Sequence, residues 1–370
     1  MAERLKAIGL MSGTSLDGVD AALLVTDGED IAEPGPALGV PYAADMRAML
    51  RTALDDAKSV AEGAPVPYSI REAERRITEV HADAVKALLA KAGLAPGEVS
   101  LIGFHGQTIL HRPEKRWTWQ IGDGALLSRL TGIQVVNDFR SADVKAGGQG
   151  APLVPLYHAV LARNAALADL PVVLVNIGGV ANVTYVGKDE VLAFDTGPGN
   201  APIDDWMHRH SGRPVDEHGD FARTGKVDDA ALQKMLANKF FDVRPPKSLD
   251  RLDFGAQAVE GLSPQDGAAT LTAFTAAAIA NAREHFADMP NRWIVCGGGR
   301  HNRTLMDALR ARVNAPVLSA EDAGWNGDFI EAEAFAYLAV RSVKGLPLSL
   351  PTTTGVTQPT TGGKFHRATV

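Results

Sequence analysis

The sequence predicts an α/β protein built from two related lobes, and three observations carry that reading. Short apolar runs ending in glycine-rich turns alternate with helical patterns, as layered α/β folds require. A strand–turn–strand unit with a polar, glycine-bearing turn occurs twice, in Ile8–Val25 and in Pro171–Val186. The length of 370 residues suits two domains of roughly 100–200 residues each.

The strand-like runs are Ile8–Leu10, Val19–Val25, Leu101–Phe104, Ile133–Val136, Val172–Ile177 and Trp293–Val295. Between them, Arg71–Leu89 places Ile77, Val80, Ala84, Val85, Leu88 and Leu89 near one helical face, with Arg75, Glu79, Asp83 and Lys86 elsewhere. A second helix opens at Ser263, with Pro264 at its first position and Asp266 in its first turn, and continues through Ala268–Phe286. A third covers Phe329–Val343. From Leu346 the chain is rich in Thr, Gly and Pro, which predicts a loosely packed tail that can cross back to the first lobe.

Composition narrows the function. The chain is 45% apolar and 22% charged, as soluble globular proteins are. A net charge of −7 argues against a general nucleic-acid binder, which would be basic. The single cysteine, Cys296, excludes an intrachain disulfide framework and a Cys-based zinc cluster. The start MAERLKAIGLM lacks the apolar core of a signal peptide, and there is no apolar run of about 18 residues to span a membrane. The expected location is the cytoplasm.

The first hairpin turn holds Ser12, Gly13, Thr14, Ser15, Asp17 and Gly18. Glycine admits a bulky anion close to the backbone, hydroxyls add donors, and Asp17 can hold Mg²⁺ through water. This suggests a phosphate cradle, although the residues equally suit an ordinary Gly/Ser hairpin. A Walker loop is excluded: no Gly-Lys-Ser/Thr follows, and the next element reads as a strand. The second hairpin carries Asn176, Gly178, Gly179 and Asn182 in its turn. A third glycine turn, Gly297-Gly298-Gly299, ends a buried strand before a helix near Asn302–Leu309, which suits an adenosine resting against backbone.

Asp195, after Val191, Leu192 and Phe194 and before Gly197-Pro198-Gly199, is the best candidate for a general base; its other reading is an Asx-turn aspartate. His105 and Gln107 flank Gly106 after a strand and offer donors and acceptors for sugar hydroxyls, although a lone His is often a packing residue. Arg140 suits a carboxylate on a ligand or a structural pair with Asp143. Glu331 and Glu333 open the last helix, where acids also serve as dipole partners. Asp204 and Asp205 read as first-turn helix charges.

Six segments occur in order: Met11–Asp20, His105–Thr108, Asp138–Arg140 with Gly147–Pro152, Asn176–Gly179, Phe194–Asn200 and Cys296–Gly299. Together they closely resemble the anhydro-N-acetylmuramic acid kinases, over Ile8 to about Val343. The resemblance implies the acetate and sugar kinase, actin and heat-shock chaperone ATPase fold: duplicated ribonuclease H-like lobes with a nucleotide cleft between them, usually in a homodimer. Lobes of 1–138 and 139–350 with a tail of 351–370 are expected. The resemblance implies ATP and Mg²⁺, with a nucleotide segment on Gly13, Thr14, Ser15, Leu16, Asp17, Gly18, Val19 and Asp20. Asp195 becomes the catalytic base, and Glu331, with His105, Gln107 and Arg140, the sugar contacts. The implied reaction turns 1,6-anhydro-N-acetylmuramic acid, ATP and water into N-acetylmuramic acid 6-phosphate and ADP, in recycling of cell-wall sugars. The alternative is a hexosamine kinase acting on a free hydroxyl.

Overall fold

The structure, a computed structural model, describes residues 3–13, 15–164, 169–249 and 253–368. The chain forms two compact units, Met1–Asn164 with Phe329–Val370, and Ala165–Asp328. The first unit contains β1 (Leu5–Met11), β2 (Gly18–Thr26), β3 (Ala32–Pro41), β4 (Leu101–Phe104), β5 (Gln107–Arg112), β6 (Trp117–Ile121) and β7 (Val135–Asn137). The second contains β8 (Val172–Ile177), β9 (Val180–Val186), β10 (Val191–Pro198), β11 (Arg292–Cys296) and β12 (Val317–Ser319). The chain then returns to the first unit and ends in β13 (Lys364–His366).

One sheet runs β13-β7-β4-β1-β2-β3 and the other β10-β9-β8-β11-β12, while β5 and β6 form a separate hairpin. In the first, β1 pairs antiparallel with β2 and β2 with β3, and β1 is parallel to β4 and β4 to β7. In the second, β8 and β9 and then β9 and β10 are antiparallel, while β8 is parallel to β11 and β11 to β12. The two units therefore share one strand order and one set of strand senses. The duplication suggested by the repeated hairpin is present at the level of topology.

In the first unit, Ile8 and Leu10 point to one face of the sheet and pack with Leu50, Ile70, Ile77 and Leu88 of helices Ala44–Ala57 and Tyr68–Ala92. The predicted helical stripe over 71–89 lies inside the second of these. Gly9 lies on the opposite face, paired in register with Gly103 of β4. There the last helix, Ile330–Val343, rests directly on backbone. A Cβ on Gly9 would sit 1.7 Å from the Ala332 carbonyl oxygen, and one on Gly103 would sit 2.0 Å from that of Phe335. Ala332, Ala336 and Ala339 complete the contact surface and are fully buried. Two glycines side by side thus make a groove that no other residue would leave open.

Three expectations are corrected. The boundary lies near residue 164, not 138, and the last helix belongs to the first unit, because it packs on β1, β2 and β4. The segment after Leu346 is not loose, and it crosses back to the first unit as the sequence allowed. Ser349 bridges to Thr360, Pro351–Thr354 makes one helical turn, and β13 pairs with β7 through Phe365 and Val136. The helix opening at Pro264 keeps α geometry only to Asn281, followed by a 3₁₀ turn over Ala282–His285. Its predicted start is met, with the Ser263 hydroxyl accepting from the Asp266 N–H.

The glycine groove makes a direct prediction. Gly9→Ala and Gly103→Ala should each destabilise the protein by about 1–3 kcal/mol, because the helix must lift off the sheet. Urea unfolding at unchanged m-value measures it; an unchanged midpoint would refute the contact.

Candidate active site

Each unit presents a glycine turn at the same junction, between its first and second strands. In the first unit the turn is anchored from behind. Ser12 Oγ donates to Gln107 Oε1 at 2.7 Å, so the Tyr42 hydroxyl, 2.8 Å away, donates to Ser12. Gln107 Nε2 in turn donates to the Gly13 carbonyl at 3.2 Å. Gln107 is fully buried, with its amide engaged by the turn. The structure therefore places it behind the cradle, not among open groups that could meet a sugar. Leu16 has φ 60°, a left-handed conformation that costs a non-glycine residue energy and recurs where backbone is held for function. Leu16 and Val19 turn their side chains into the core, so a ligand would meet chiefly their backbone. Thr14 lies outside the described residues.

In front of this turn is a pocket of about 370 Å³ lined by Gly13, Ser15, Asp17, Gly18, Asp20 and, from the start of the last helix, Glu331. The glycine groove explains why Glu331 reaches it: Ala332, the next residue, is pinned on Gly9. Burial raises the Glu331 carboxyl above the usual range, and the charge of Arg140 pulls it back. Glu333 points elsewhere. It is buried and accepts from the Tyr157 hydroxyl at 2.7 Å, and burial pushes it up to about 7. Of the two acids, only Glu331 lines this pocket.

Arg140 is held on two sides. Its Nε donates to His105 Nε2 at 3.0 Å, and its Nη1 donates to the Gly150 carbonyl at 2.6 Å. Burial lowers the guanidinium to about 10, so it stays a cation at neutral pH. His105 Nδ1 donates to the Gly106 carbonyl at 2.8 Å, so its Nε2 is free to accept from Arg140. Burial, reinforced by the cation at Arg140, holds the ring well below the ordinary histidine range, and it packs 4.5 Å from Phe335. His105 thus orients Arg140 as a neutral acceptor.

In the second unit three predicted segments converge. Gly199 N–H donates to the Gly179 carbonyl at 2.9 Å and Asn200 N–H to that of Gly178 at 2.7 Å, which joins the β8–β9 turn to the end of β10. Gly297, at φ 73°, lies against the same turn: a Cβ there would fall 2.3 Å from Asn176 Oδ1. Gly179 and Gly298 are exposed and open to a ligand, and Asn302 caps the following helix by accepting from the Leu305 N–H.

Asp195 lies within β10, beside a bulge between Asp195 and Gly197. Its amide donates to the Lys247 carbonyl at 3.0 Å, and its Oδ2 accepts from the Leu249 N–H at 2.8 Å. It is not an Asx-turn residue closing on its own loop. Burial pushes its carboxyl up to about 7, with the Leu249 bond acting in the opposite direction. That is a carboxylate poised to take a proton near neutral pH.

Two supports were missed by sequence reasoning. Lys247 is buried, donates to the Phe240 carbonyl and lies 4.4 Å over the Phe240 ring, fixing the loop segment that flanks Asp195. Arg300 donates to the Gly297 carbonyl at 3.0 Å and pairs with Glu321 and Asp328, steadying the glycine turn. Its position directly after Gly297–Gly299 was the available signal; Lys247 had none, because the Asp195 it flanks is distant in sequence.

Two units of one topology, each offering a glycine turn at the same junction, make the two-lobed α/β fold of the kinase type. The chain belongs to the anhydro-N-acetylmuramic acid kinase family, whose model matches residues 5–368. It is accordingly a phosphotransferase. It is 54% identical over 366 residues to the anhydro-N-acetylmuramic acid kinase of Rhizorhabdus wittichii, covering 98% of this chain and 99% of that one. It is 54% identical over 364 residues to the same enzyme of Paramagnetospirillum magneticum, covering 97% and 99%. Among solved structures it is similar to component A of (R)-2-hydroxyglutaryl-CoA dehydratase from Acidaminococcus fermentans, at 12% identity and a TM-score of 0.48, over 92% of this chain and 99% of that one.

The burial of Asp195 has a stability signature. Its folded-state value of about 7 lies above the unfolded 3.8, so the folded protein holds the proton more tightly. Stability from this group is therefore full below about pH 4 and is lost as pH rises to about 7. Asp195→Asn, whose amide oxygen still accepts from Leu249, should gain about 1 kcal/mol or more over wild type at pH 8 relative to pH 5. Thermal melts at the two pH values measure this, and a pH-independent difference would refute it.

Proposed function

We propose that the protein is an ATP-dependent kinase that opens the 1,6-anhydro ring of 1,6-anhydro-N-acetylmuramic acid with water and phosphorylates O6, giving N-acetylmuramic acid 6-phosphate and ADP. The observation that carries this reading is the family match over nearly the whole chain, at 54% identity to full-length relatives of that name. The site chemistry agrees with it.

This substrate has no free 6-hydroxyl, because O6 bridges to C1. Asp195 takes a proton from water, and the water oxygen attacks C1. The C1–O6 bond breaks, and O6 receives the γ-phosphoryl group as ADP leaves. Phosphoryl transfer needs positioning and charge neutralisation more than covalent help. The turns at Gly13–Asp20 and at Asn176, Gly178 and Gly179 receive the phosphates, the second at the exposed Gly179 because the Gly178 N–H already donates to the Val180 carbonyl, and Gly297–Gly299 takes the adenosine. Arg140 and Glu331 face the sugar, with His105 as the support of Arg140.

Among the described residues no group of three or more His, Cys, Asp and Glu could hold a metal ion. Mg²⁺ commonly takes one or two carboxylates and completes its shell with phosphates and water. Asp17, exposed on the pocket wall, would hold it, and the ion would neutralise phosphate charge. No helix among the described residues is long and apolar enough to cross a membrane. We place the enzyme in the cytoplasm, as a homodimer, in recycling of peptidoglycan sugars.

An ADP-release assay tests the reading: turnover is expected with 1,6-anhydro-N-acetylmuramic acid, and turnover only with free N-acetylmuramic acid would overturn it in favour of a kinase acting on a free hydroxyl. Asp195→Asn should lower kcat by roughly 10²–10⁴-fold while ATP affinity holds. In wild type, kcat/KM should rise with pH up to about 7, because the base must be unprotonated. A flat profile from pH 5.5 to 8 would assign the base elsewhere.

A further inference from the structure

Asp143 is 2% exposed, yet its carboxylate is met from three parts of the chain. Oδ1 accepts from the Gly150 N–H at 2.6 Å. Oδ2 accepts from the Ser349 and Thr354 hydroxyls, each at 2.5 Å. The Gln149 N–H donates to the Thr354 carbonyl at 2.7 Å, so the glycine-rich loop is tied to the C-terminal segment by backbone as well. From Gly150 the chain of contacts continues to the site, since the Gly150 carbonyl accepts from Arg140 Nη1, and Arg140 Nε donates to His105.

Charge-assisted hydrogen bonds of this kind are short and stiff, and stiffer where water is excluded. A loop carrying three glycines, Gly147, Gly148 and Gly150, has little stiffness of its own, and the carboxylate of Asp143 supplies it. We infer that Ser349 and Thr354, acting through Asp143, are positioning residues that fix the Gly150 carbonyl and so set the Arg140 guanidinium that faces the sugar. The inference rests on the kinase reading only in taking Arg140 to face the sugar. It gives the C-terminal segment a role in the site that is exerted through Asp143.

Thr354→Val keeps the side-chain shape and deletes the hydroxyl, whereas Thr354→Ser keeps the hydroxyl. In steady-state assays Thr354→Val should raise the KM for the anhydro sugar roughly 10-fold or more, with the KM for ATP unchanged. Thr354→Ser should stay near wild type. Ser349→Ala combined with Thr354→Val should match Asp143→Asn rather than add to it. If Asp143→Asn does not fold, the Thr354 pair decides alone. A folded Thr354→Val enzyme with an unmoved sugar KM, or with equal rises in both KM values, would overturn the inference while leaving the kinase reading intact. Failure of the wild-type protein to turn over the anhydro sugar would overturn both.

Discussion

The contact on which the first unit depends is backbone against backbone. Gly9 and Gly103 lie side by side on adjacent parallel strands, and the last helix rests on them at a distance that a single added carbon would abolish. That contact brings a segment from the far end of the chain onto the central strands. It fixes the first turn of the helix beside the Ser12–Asp17 cradle, and therefore fixes where Glu331 stands. The alternation of β1 follows from the same demand. Ile8 and Leu10 fill the core on one side, while the other side is reduced to glycine and alanine so that a helix can approach.

The polar side chains around the site divide by what already holds them. Gln107, His105 and Asp143 are buried with their polar atoms committed to Gly13, Arg140 and Gly150, and they act through those partners. Asp17, Glu331 and the exposed Gly179 and Gly298 face open space. Four acids illustrate how environment sets role. Glu331 is raised by burial at the wall of a pocket; Asp195 is raised by burial beside the Lys247–Leu249 segment; Glu333 is raised by burial beneath Tyr157; Asp143 is met by three donors. Carboxylates of one chemical type thus differ in proton affinity according to what surrounds them, and the proposed roles follow those differences.

Duplication of a single five-strand pattern accounts for the economy of the design. The same junction, between the first and second strands, carries a glycine turn in both units, because that is where an antiparallel hairpin meets the ends of parallel strands. What differs is the support. In the first unit it comes from Ser12, Tyr42 and Gln107; in the second, from Gly199 and Asn200.

Local features were legible from sequence because their causes are local. Glycine and hydroxyl content marked both hairpin turns, Ser263 with Pro264 marked a helix start, and apolar periodicity marked the helix around 71–89. The order of six motifs was enough to indicate the family. The sequence could not reveal that Gln107 supports the cradle from behind, that Glu331 rather than Glu333 meets the pocket, or that Ser349 and Thr354 close on Asp143. Nor could it place the boundary near residue 164, since the last helix joins β1 and β4 across more than two hundred intervening residues. Turns and caps arise from neighbours in the chain, whereas burial, and with it the proton affinity of Asp195, arises only when distant segments pack together.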